Sequence, residues 1–409
     1  MPIFRGHVAN SRPGLLLFAR VMEVGMTPHT IAVLGLTYPF RGGIAHYSTI
    51  LVRELRRTYR EVRFLALSRQ YPAILFPGKT QYDDSKTPIV EEHDAIIDSI
   101  NPLTWIRTAW RLKREAPDLV VIQWWNPFFG LAFGTIANLL TLISTIKICF
   151  ICHNVLPHES TLFDKLLLKY AFCRTTYFIV HSEEDRVNLL ALRPDAVVKH
   201  NVHPTYAVFG EFERYEKDEA RRKLNLPLRQ NVILFFGLIR QYKGLQYLIR
   251  AMPEVLRRID CTLLITGEFY DPKEEYLALI AELSLEANTI VVDQYISNEE
   301  VSLYFCSSDV VILPYVDATQ SGIVQIAYGL NIPVITTRVG GLPEAVEDGK
   351  TGLLVEKESP EELAKAIIDY YTGGYESKFR REIEQNATQF GWDAELSNLA
   401  SFLSEPGKV

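Results

Sequence analysis

One segment of the chain predicts the architecture best, and it reads Val232-Ile233-Leu234-Phe235-Phe236-Gly237-Leu238-Ile239-Arg240-Gln241-Tyr242-Lys243-Gly244. Five apolar residues in a row, ended by Gly237, predict a buried strand. An amphipathic pattern typical of a helix starts at Leu245. A buried strand, a glycine turn and a helix in this order are typical of the first unit of a parallel α/β sheet.

The turn between strand and helix carries two cations, Arg240 and Lys243. The amino end of a helix presents free N–H groups and the positive end of the helix dipole, so two cations beside it favour a diphosphate site. The alternative is a pair of solvated loop cations, and the residues alone leave both readings open.

Strand and helix patterns alternate on the carboxy-terminal side of this segment, which predicts a parallel sheet. The predicted strands are Val232–Phe236, Cys261–Thr266, Thr289–Asp293, Val310–Pro314, Val334–Thr337 and Gly352–Val355. The predicted helices between them are Leu245–Arg257, Glu274–Ala287, Val324–Leu330 and Glu361–Tyr371.

A second alternating series lies on the amino-terminal side. Its predicted strands are Thr30–Leu36, Val62–Leu67, Asp118–Trp124, Lys147–Cys152 and Tyr177–Ser182, with helices such as Ile44–Arg60 and Thr161–Cys173. The sequence therefore predicts an α/β protein with two Rossmann-like domains in tandem. A ligand cleft is expected between the carboxyl ends of the two sets of strands.

The domain limits follow from these patterns. Residues 26–205 form the predicted amino-terminal domain and 206–385 the carboxy-terminal domain. A last helical pattern within 386–409 is expected to cross back to the first domain. Residues 1–25 fit neither series, and we interpret them as an extension or a mis-annotated start upstream of Met26.

Composition excludes several classes of protein. Of 409 residues, 48% are hydrophobic and 22% charged, which excludes disordered, collagen-like and disulfide-scaffold chains. Residues 1–200 carry a formal charge of +6 and residues 201–409 a charge of −12. Five cysteines without a framework spacing favour a reducing compartment, so we expect a cytoplasmic protein. No nucleic-acid motif, metal-ligand spacing or transmembrane anchor is predicted.

Two further motifs carry a family resemblance. The chain reads Pro333-Val334-Ile335-Thr336-Thr337-Arg338-Val339-Gly340-Gly341-Leu342-Pro343-Glu344, and then Asp348-Gly349-Lys350-Thr351-Gly352-Leu353-Leu354-Val355. Together with the Gly237 to Gly244 turn, these resemble the nucleotide-binding half of the retaining glycosyltransferases of group 1, family four. The resemblance implies the GT-B fold, with two Rossmann-like domains and a cleft between them.

The resemblance also implies roles for individual residues. Arg240 and Lys243 would hold the diphosphate of a nucleoside-diphosphate-sugar donor, UDP or GDP, and His153 would face the donor sugar. Gly42 and Gly43 match the glycine loop after the first strand, although a simple tight turn is the alternative. Gly237 belongs to the strand-glycine motif. Glu344 lies in a loop near the nucleotide, unless it only caps the next helix.

One segment departs from the family pattern. Relatives carry two glutamates separated by seven residues, whereas this chain reads Asp317-Ala318-Thr319-Gln320-Ser321-Gly322-Ile323-Val324-Gln325. Asp317 or Gln320 is the expected substitute for the first glutamate and Gln325 for the second, because amide oxygens still accept hydrogen bonds from sugar hydroxyls. The backbone N–H groups of Ser321, Gly322 and Ile323 remain available for phosphate.

A basic segment predicts a second type of contact. The helical pattern Leu51–Arg63 carries five arginines, and Arg107, Arg111, Lys113 and Arg114 add to the positive half of the chain. These residues are candidates for contact with anionic lipid headgroups at the inner face of the membrane, or form an ordinary solvated face.

The predicted function is sugar transfer to an acceptor hydroxyl with retention of configuration, without a bound cofactor. The acceptor would be a glycan or a lipid-linked molecule, as in polysaccharide or glycolipid synthesis. Two alternatives stay open, namely a sugar-nucleotide 2-epimerase of the same fold and a non-catalytic subunit that binds nucleotide sugar.

Overall fold

A computed structural model describes residues 29–72, 74, 76, 79–156 and 161–405. The interpretation of residues 1–25 as an extension lies outside these described residues. Two separate parallel sheets, of seven and six strands, form the two halves of the described chain. The predicted α/β class with two Rossmann-like units is confirmed.

The first sheet has the order β3-β2-β1-β4-β5-β6-β7, and all its neighbouring strands run parallel. The order reverses between β1 and β4, which is the switch point where doubly wound sheets bind ligands. The strands are β1 Thr30–Gly35, β2 Glu61–Arg69, β3 Asp94–Asp98, β4 Leu119–Trp124, β5 Lys147–Cys152, β6 Tyr177–Val180 and β7 Val197–His200.

Helices cover both faces of this sheet. They are α1 Gly43–Thr58, α2 Pro102–Glu115, α3 Gly130–Ile143, α4 Leu162–Phe172 and α5 Glu183–Leu192. Apolar residues of α1 pack with Ile31 and Val33, whereas Trp105 and Leu112 of α2 pack with Ala32 and Leu34. Because successive residues of a strand point to opposite faces, α1 and α2 lie on opposite sides of the sheet.

The second sheet repeats the arrangement with the order β10-β9-β8-β11-β12-β13. Its strands are β8 Asn231–Phe236, β9 Cys261–Thr266, β10 Thr289–Val292, β11 Val310–Leu313, β12 Val334–Thr337 and β13 Gly352–Val355. Its helices, with two short ones that precede it, are α6 Phe209–Phe212, α7 Lys217–Lys223, α8 Leu245–Leu256, α9 Lys273–Glu282, α10 Asn298–Ser307, α11 Gly322–Gly329, α12 Leu342–Ala345, α13 Pro360–Thr372 and α14 Tyr375–Gln385.

The last helix, α15 Asp393–Ser404, packs against the first sheet rather than the second. Phe402 contacts Tyr177 of β6 at 4.9 Å between ring centroids, and the Lys147 ammonium donates to the carbonyl oxygens of Phe402 and Leu403. This helix therefore joins the end of the chain to the amino-terminal domain.

Two strands, β3 and β7, were not predicted from the sequence. Both are edge strands, and the faces of an edge strand need not be apolar, so Asp94–Asp98 and Val197–His200 lack a continuous apolar run. No helix among the described residues is both long and apolar enough to cross a membrane.

The predicted basic helix Leu51–Arg63 is wrong in its extent. Helix α1 ends at Thr58, and Arg63 lies in strand β2. Carboxylates neutralise most of the arginines. The ion pairs are Arg53 and Arg56 with Glu91, Arg57 with Glu54, and Arg63 with Glu61 and Glu115.

Candidate active site in the interdomain cleft

The two domains enclose a cleft of about 440 Å³ at the carboxyl ends of their strands. The first domain lines it with Gly42, Gly43 and His153, and the second with Gly237 and Lys243. Each set follows strands at or beside the switch point of its sheet, where parallel α/β folds bind ligands.

Lys243 faces this cleft from a short turn between β8 and α8. Its ammonium donates to the hydroxyl of Tyr315 at 2.9 Å and lies 4.6 Å from the centroid of that ring. Burial lowers the pKa of Lys243, but the Tyr315 and Tyr242 hydroxyls outweigh burial, and the net shift raises its pKa. Lys243 is therefore a cation at neutral pH.

The contact with Tyr315 connects this cation to the start of helix α11. The Tyr315 hydroxyl lies 3.4 Å from the hydroxyl of Ser321, which caps the helix by accepting from the N–H of Ile323. An ammonium, two hydroxyls and a helix amino terminus thus point to one part of the cleft. This combination suits a phosphate or diphosphate group.

Gly237 keeps space open beside the Lys243 ammonium. Its φ of 114° is a conformation that favours glycine, and a Cβ at this position would lie 3.8 Å from Lys243 Nζ. The same Cβ would lie 3.4 Å from Ile323 at the start of α11. A side chain here would fill the room that a ligand needs next to the cation.

The opposite wall presents a second helix amino terminus. Gly42, with a φ of 105°, precedes α1 and has open space on its cleft side. Tyr206 joins the two walls, because its hydroxyl donates to the carbonyl oxygen of Gly43 at 3.1 Å. Its ring also lies 3.3 Å from the Cβ position of Gly322. The amino termini of α1 and α11 therefore meet at one tyrosine.

His153 is buried at the end of β5, where it lines the cleft. Its Nε2 lies 2.7 Å from the side-chain oxygen of Gln123, and its carbonyl oxygen accepts a hydrogen bond from Gln320 across the cleft at 2.9 Å. Burial, with His181 and His203 nearby, lowers the pKa of His153 well below its usual value. His153 is thus a neutral imidazole at physiological pH.

The second domain matches a known family. Residues 230–372 fit the profile described as "Glycosyl transferases group 1". This range contains Gly237, Lys243 and all of helix α11. Most of the carboxy-terminal domain is therefore similar to a group 1 glycosyltransferase domain.

Named relatives agree with this assignment over the same part of the chain. A D-inositol 3-phosphate glycosyltransferase of Corynebacterium efficiens is 31% identical over 198 residues, which are 46% of this chain and 46% of that protein. An uncharacterized glycosyltransferase of Methanocaldococcus jannaschii is 27% identical over 183 residues, 44% of this chain and 46% of that protein. The chain matches about half the length of these relatives.

Solved structures share the fold across both domains. Sucrose-phosphate synthase from Thermosynechococcus elongatus superposes with a TM-score of 0.68 at 18% identity, covering 92% of this chain and 99% of that one. HepE of Anabaena, in complex with UDP, gives a TM-score of 0.69 at 16% identity, covering 92% and 99%. The GT-B architecture that the sequence predicted is confirmed.

The glycosyltransferase domain brings most of the predicted site residues to the cleft. Besides Lys243 and Gly237, the cleft is lined by Gln320, Ser321, Gly322 and Ile323. The side-chain oxygen of Gln320 is buried and accepts no hydrogen bond from the described residues. It is a free acceptor at the wall of the cleft.

Four predicted residues do not line the cleft. Arg240 stacks its guanidinium on the ring of Tyr270 at 4.7 Å, and Asp317 is exposed. Glu344 accepts from the N–H of Glu183 and pairs with His200, so it joins the two domains. Gln325 is buried behind the site, because Ile323 and Ile326 occupy the side of α11 that faces the cleft.

Sequence reasoning missed several residues that line the cleft or lie beside it. Arg41 and Glu268 form an ion pair between the domains, and Tyr206 joins the two helix termini. His46 and Asn298 also line the cleft, and their side chains hydrogen bond to each other. His46 follows the glycine loop by three residues and so shares its helix turn, which was the one available signal.

The described residues contain no group of His, Cys, Asp and Glu able to hold a metal ion.

Proposed function

We propose that the protein is a retaining glycosyltransferase, which moves a sugar from a nucleoside-diphosphate sugar to an acceptor hydroxyl. The observation that carries this proposal is the Lys243 ammonium, linked through Tyr315 and Ser321 to the amino terminus of α11 within the glycosyltransferase domain. A cation and a helix terminus stabilise negative charge, which grows on the diphosphate as the sugar departs.

The donor would lie with its diphosphate between Gly237, Lys243 and the first turn of α11. We expect UDP or GDP as the nucleotide, and the UDP complex of HepE supports UDP. The neutral His153 and the free oxygen of Gln320 would hydrogen bond to the transferred sugar. Gln320 would thereby replace the first glutamate of the family pattern. Asp317 is exposed and does not line the cleft, so it is not the proposed replacement for that glutamate.

The acceptor would enter from the first domain. Gly42 and Gly43 would let it approach the backbone, and the side chains of His46 and Asn298, which line the same cleft, would bind its hydroxyls. The departing diphosphate takes the proton of the attacking hydroxyl, so the reaction needs no separate base. The relatives named for inositol phosphate support a polyhydroxylated acceptor. A glycan or lipid-linked acceptor at the inner face of the membrane is the class that we propose.

A panel of UDP-, GDP- and ADP-sugars tests the donor in a thermal-shift experiment, because a ligand that binds only the folded state raises the melting temperature. One sugar nucleotide should raise it, and Lys243→Met should abolish that shift. Release of nucleoside diphosphate is then measured with and without a mixture of polyol and glycan acceptors.

Release that depends on the acceptor supports sugar transfer. A new sugar nucleotide formed without an acceptor would replace the proposal with a 2-epimerase. Binding without turnover, after a screen of lipid-linked acceptors, would make the chain a nucleotide-sugar-binding subunit. If none of the sugar nucleotides raises the melting temperature, all three functions lose their basis.

A further inference from the structure

A buried glutamine lies directly behind His153. Gln123 of β4 is fully buried and does not line the cleft, whereas His153 lines the cleft from the end of β5. The side-chain oxygen of Gln123 lies 2.7 Å from His153 Nε2. Because an amide oxygen can only accept a hydrogen bond, Nε2 of the neutral imidazole carries the proton. The other ring nitrogen, Nδ1, has no hydrogen-bond partner among the described residues.

The two strands bring these side chains together. Gln123 lies opposite Ile151 in the register of β4 and β5, so the side chains of Gln123 and His153 project from the same face of the sheet. The N–H of His153 donates to the carbonyl oxygen of Trp124 at 2.8 Å, which fixes the histidine backbone beside the glutamine. The Tyr47 ring packs nearly perpendicular to the imidazole, with 4.4 Å between the ring centroids. The imidazole therefore has one orientation relative to Gln123.

Gly35 leaves the room that Gln123 occupies. A Cβ at Gly35, the last residue of β1, would lie 2.9 Å from Cγ of Gln123 and 2.9 Å from the Ser48 hydroxyl of α1. The backbone of Gly35 does not have a positive φ, so space and not conformation excludes a side chain here. Strands β1 and β4 flank the switch point of the sheet. The glutamine therefore lies immediately behind the expected ligand site.

The position of Gln123 is unfavourable for an amide. Its side-chain nitrogen is buried and has no partner among the described residues. The neighbouring side chains on this face, Val33, Val121 and Ile151, are apolar and buried. A buried donor without an acceptor destabilises a fold, whereas a leucine has no polar atom to satisfy. Packing alone thus favours a hydrocarbon side chain, and what the glutamine adds is its contact with His153.

The geometry points to Gln123 as a positioning residue that holds His153 in the tautomer with its proton on Nε2. This inference rests on the proposed function, in which His153 faces the transferred sugar. With Nε2–H engaged by Gln123, the imidazole keeps a lone pair on Nδ1, which accepts a hydrogen bond from a sugar hydroxyl. Gln123 thereby selects a donor sugar that presents a hydroxyl to this histidine.

Nitrogen NMR of the full chain, isotopically labelled at the histidine ring nitrogens, tests the tautomer without any substrate. The signals of His153 are assigned by their loss in His153→Asn. At neutral pH the unchanged protein should show one tautomer of His153, with the proton on Nε2. In Gln123→Leu the same ring should show a mixture of both tautomers. Gln123→Leu should melt no lower than the unchanged protein, because it removes the unpaired amide nitrogen.

Kinetics test the effect on the reaction, with the sugar nucleotide selected from the panel of UDP-, GDP- and ADP-sugars. The kcat/KM for this donor should fall about tenfold in Gln123→Leu, the effect of one lost hydrogen bond to the sugar. Affinity for the nucleoside diphosphate alone should not change, because His153 faces the sugar. Gln70→Leu is the matched control, since Gln70 is another buried glutamine of the first domain outside the cleft lining. It should keep the full kcat/KM.

Gln123→Glu adds a pH profile, which a purely structural role would not change. The titratable rings that pack around His153 are those of Tyr47, His181 and His203. Burial raises the pKa of Tyr47 and lowers the pKa values of the two histidines, so all three rings are uncharged at neutral pH. A carboxylate at position 123 would raise the pKa of His153, and protonation removes the lone pair of Nδ1. The acid limb of the kcat/KM profile should therefore move to higher pH in Gln123→Glu alone.

A proton on Nδ1 in the unchanged protein, or an unaltered His153 spectrum in Gln123→Leu, would overturn the inference. Undiminished kcat/KM in Gln123→Leu, or an equal loss in Gln70→Leu, would also overturn it. If no sugar nucleotide is turned over although the spectra are as expected, the proposed function fails. The assignment of the His153 proton by Gln123 then still stands, because the spectra need neither donor nor acceptor.

Discussion

Arg41 and Glu268 belong to different domains and form a buried ion pair, with 2.6 Å between Nη2 and Oε2. Their side chains are 8% and 3% exposed. The Arg41 guanidinium also lies 4.5 Å from the centroid of the Tyr295 ring, and the second oxygen of Glu268 accepts from the N–H of Lys79. Both charged groups are removed from water, so the ion pair stabilises the closed cleft only when both partners are present. If one partner is removed, the charge of the other stays buried without compensation.

Removal of one partner should therefore open the cleft. In Glu268→Ala the Arg41 guanidinium loses its partner in a buried site, which costs about 3–5 kcal/mol. The domains relieve this cost by separating, so the radius of gyration measured by small-angle X-ray scattering should increase. The double variant R41M/E268L carries no unpaired charge and should stay closer to the compact form. Equal radii for Glu268→Ala and the unchanged protein would contradict this role.

Lys243→Met should abolish most of the activity without unfolding the protein. The substitution keeps the length of the side chain but removes the charge that would face the diphosphate. Loss of one such stabilising group lowers kcat by about 10²–10³-fold. The measurement is acceptor-dependent release of nucleoside diphosphate.

Lys350→Met is the matched control for this variant, because Lys350 is an exposed lysine of the same domain that does not line the cleft. It should keep full activity. Undiminished turnover in Lys243→Met would remove Lys243 from the mechanism.

Gly237→Ala should reduce stability and donor binding together. The left-handed backbone at Gly237 costs an alanine about 1–3 kcal/mol. The new methyl group would in addition lie 3.8 Å from Lys243 Nζ, within the space proposed for the diphosphate.

Gly349→Ala separates these two effects. Gly349 has a φ of 73°, but open space surrounds the position of its Cβ. Both variants should melt at a lower temperature, and donor affinity should fall in Gly237→Ala alone. Similar donor affinity in the two variants would show that Gly237 is needed only for its backbone conformation and that it does not keep space open for the donor.

The cleft residues that were predicted correctly directly follow a strand or start a helix, so their positions can be read from a short segment of sequence. Gly237 and Lys243 flank a turn after a buried strand, and Gly42 and Gly43 follow the first strand, so the parallel topology by itself carries them to the cleft. Ser321 caps α11, which fixes the first turn of that helix at the same edge.

Residues that depend on pairing between distant segments were not predictable. Arg41 meets Glu268 across 227 positions, and neither residue shows a pattern that reveals the other. Gln325 was predicted to bind the donor because its amide oxygen can accept hydrogen bonds. The helical period, however, turns its side chain away from the cleft and turns Ile326 toward it. Edge strand β7 was missed because none of its four residues is buried, so its sequence shows neither an apolar run nor an alternation of apolar and polar residues.

Glu395 should make the stability of the protein depend on pH. It is fully buried on α15, where its Oε2 accepts a hydrogen bond from the Asn201 amide at 2.8 Å and its carboxyl group also hydrogen bonds to the Tyr47 hydroxyl. Burial raises the pKa of Glu395 to about 7, although the Asn201 and Tyr47 hydrogen bonds oppose the shift. An unfolded chain ionises this carboxyl near its ordinary value of 4.5.

The sign of the effect follows from this difference. Between about pH 4.5 and pH 7 the unfolded chain releases the proton while the folded protein keeps it, so the contribution of Glu395 to stability falls as pH rises. The loss is complete above pH 7 and amounts to about 3 kcal/mol. The buried histidines His153, His181 and His203 have lowered pKa values and act in the opposite direction, because acid stabilises the unfolded state.

The variant Glu395→Gln isolates the carboxyl from these histidines. Its amide oxygen can still accept from Asn201, and it has no proton to lose. Urea unfolding at a series of pH values should show it close to the unchanged protein in acid and more stable at alkaline pH. Glu384→Gln, an exposed position on the preceding helix, should follow the unchanged protein throughout. The contrary result would be that the free energy of unfolding of Glu395→Gln differs from that of the unchanged protein by the same amount from about pH 5 to pH 8. That result would mean that Glu395 is ionised in the folded protein over the whole interval. In that case its charge must be compensated by a protonated neighbour, for which His181, 4.0 Å away, is the nearest candidate.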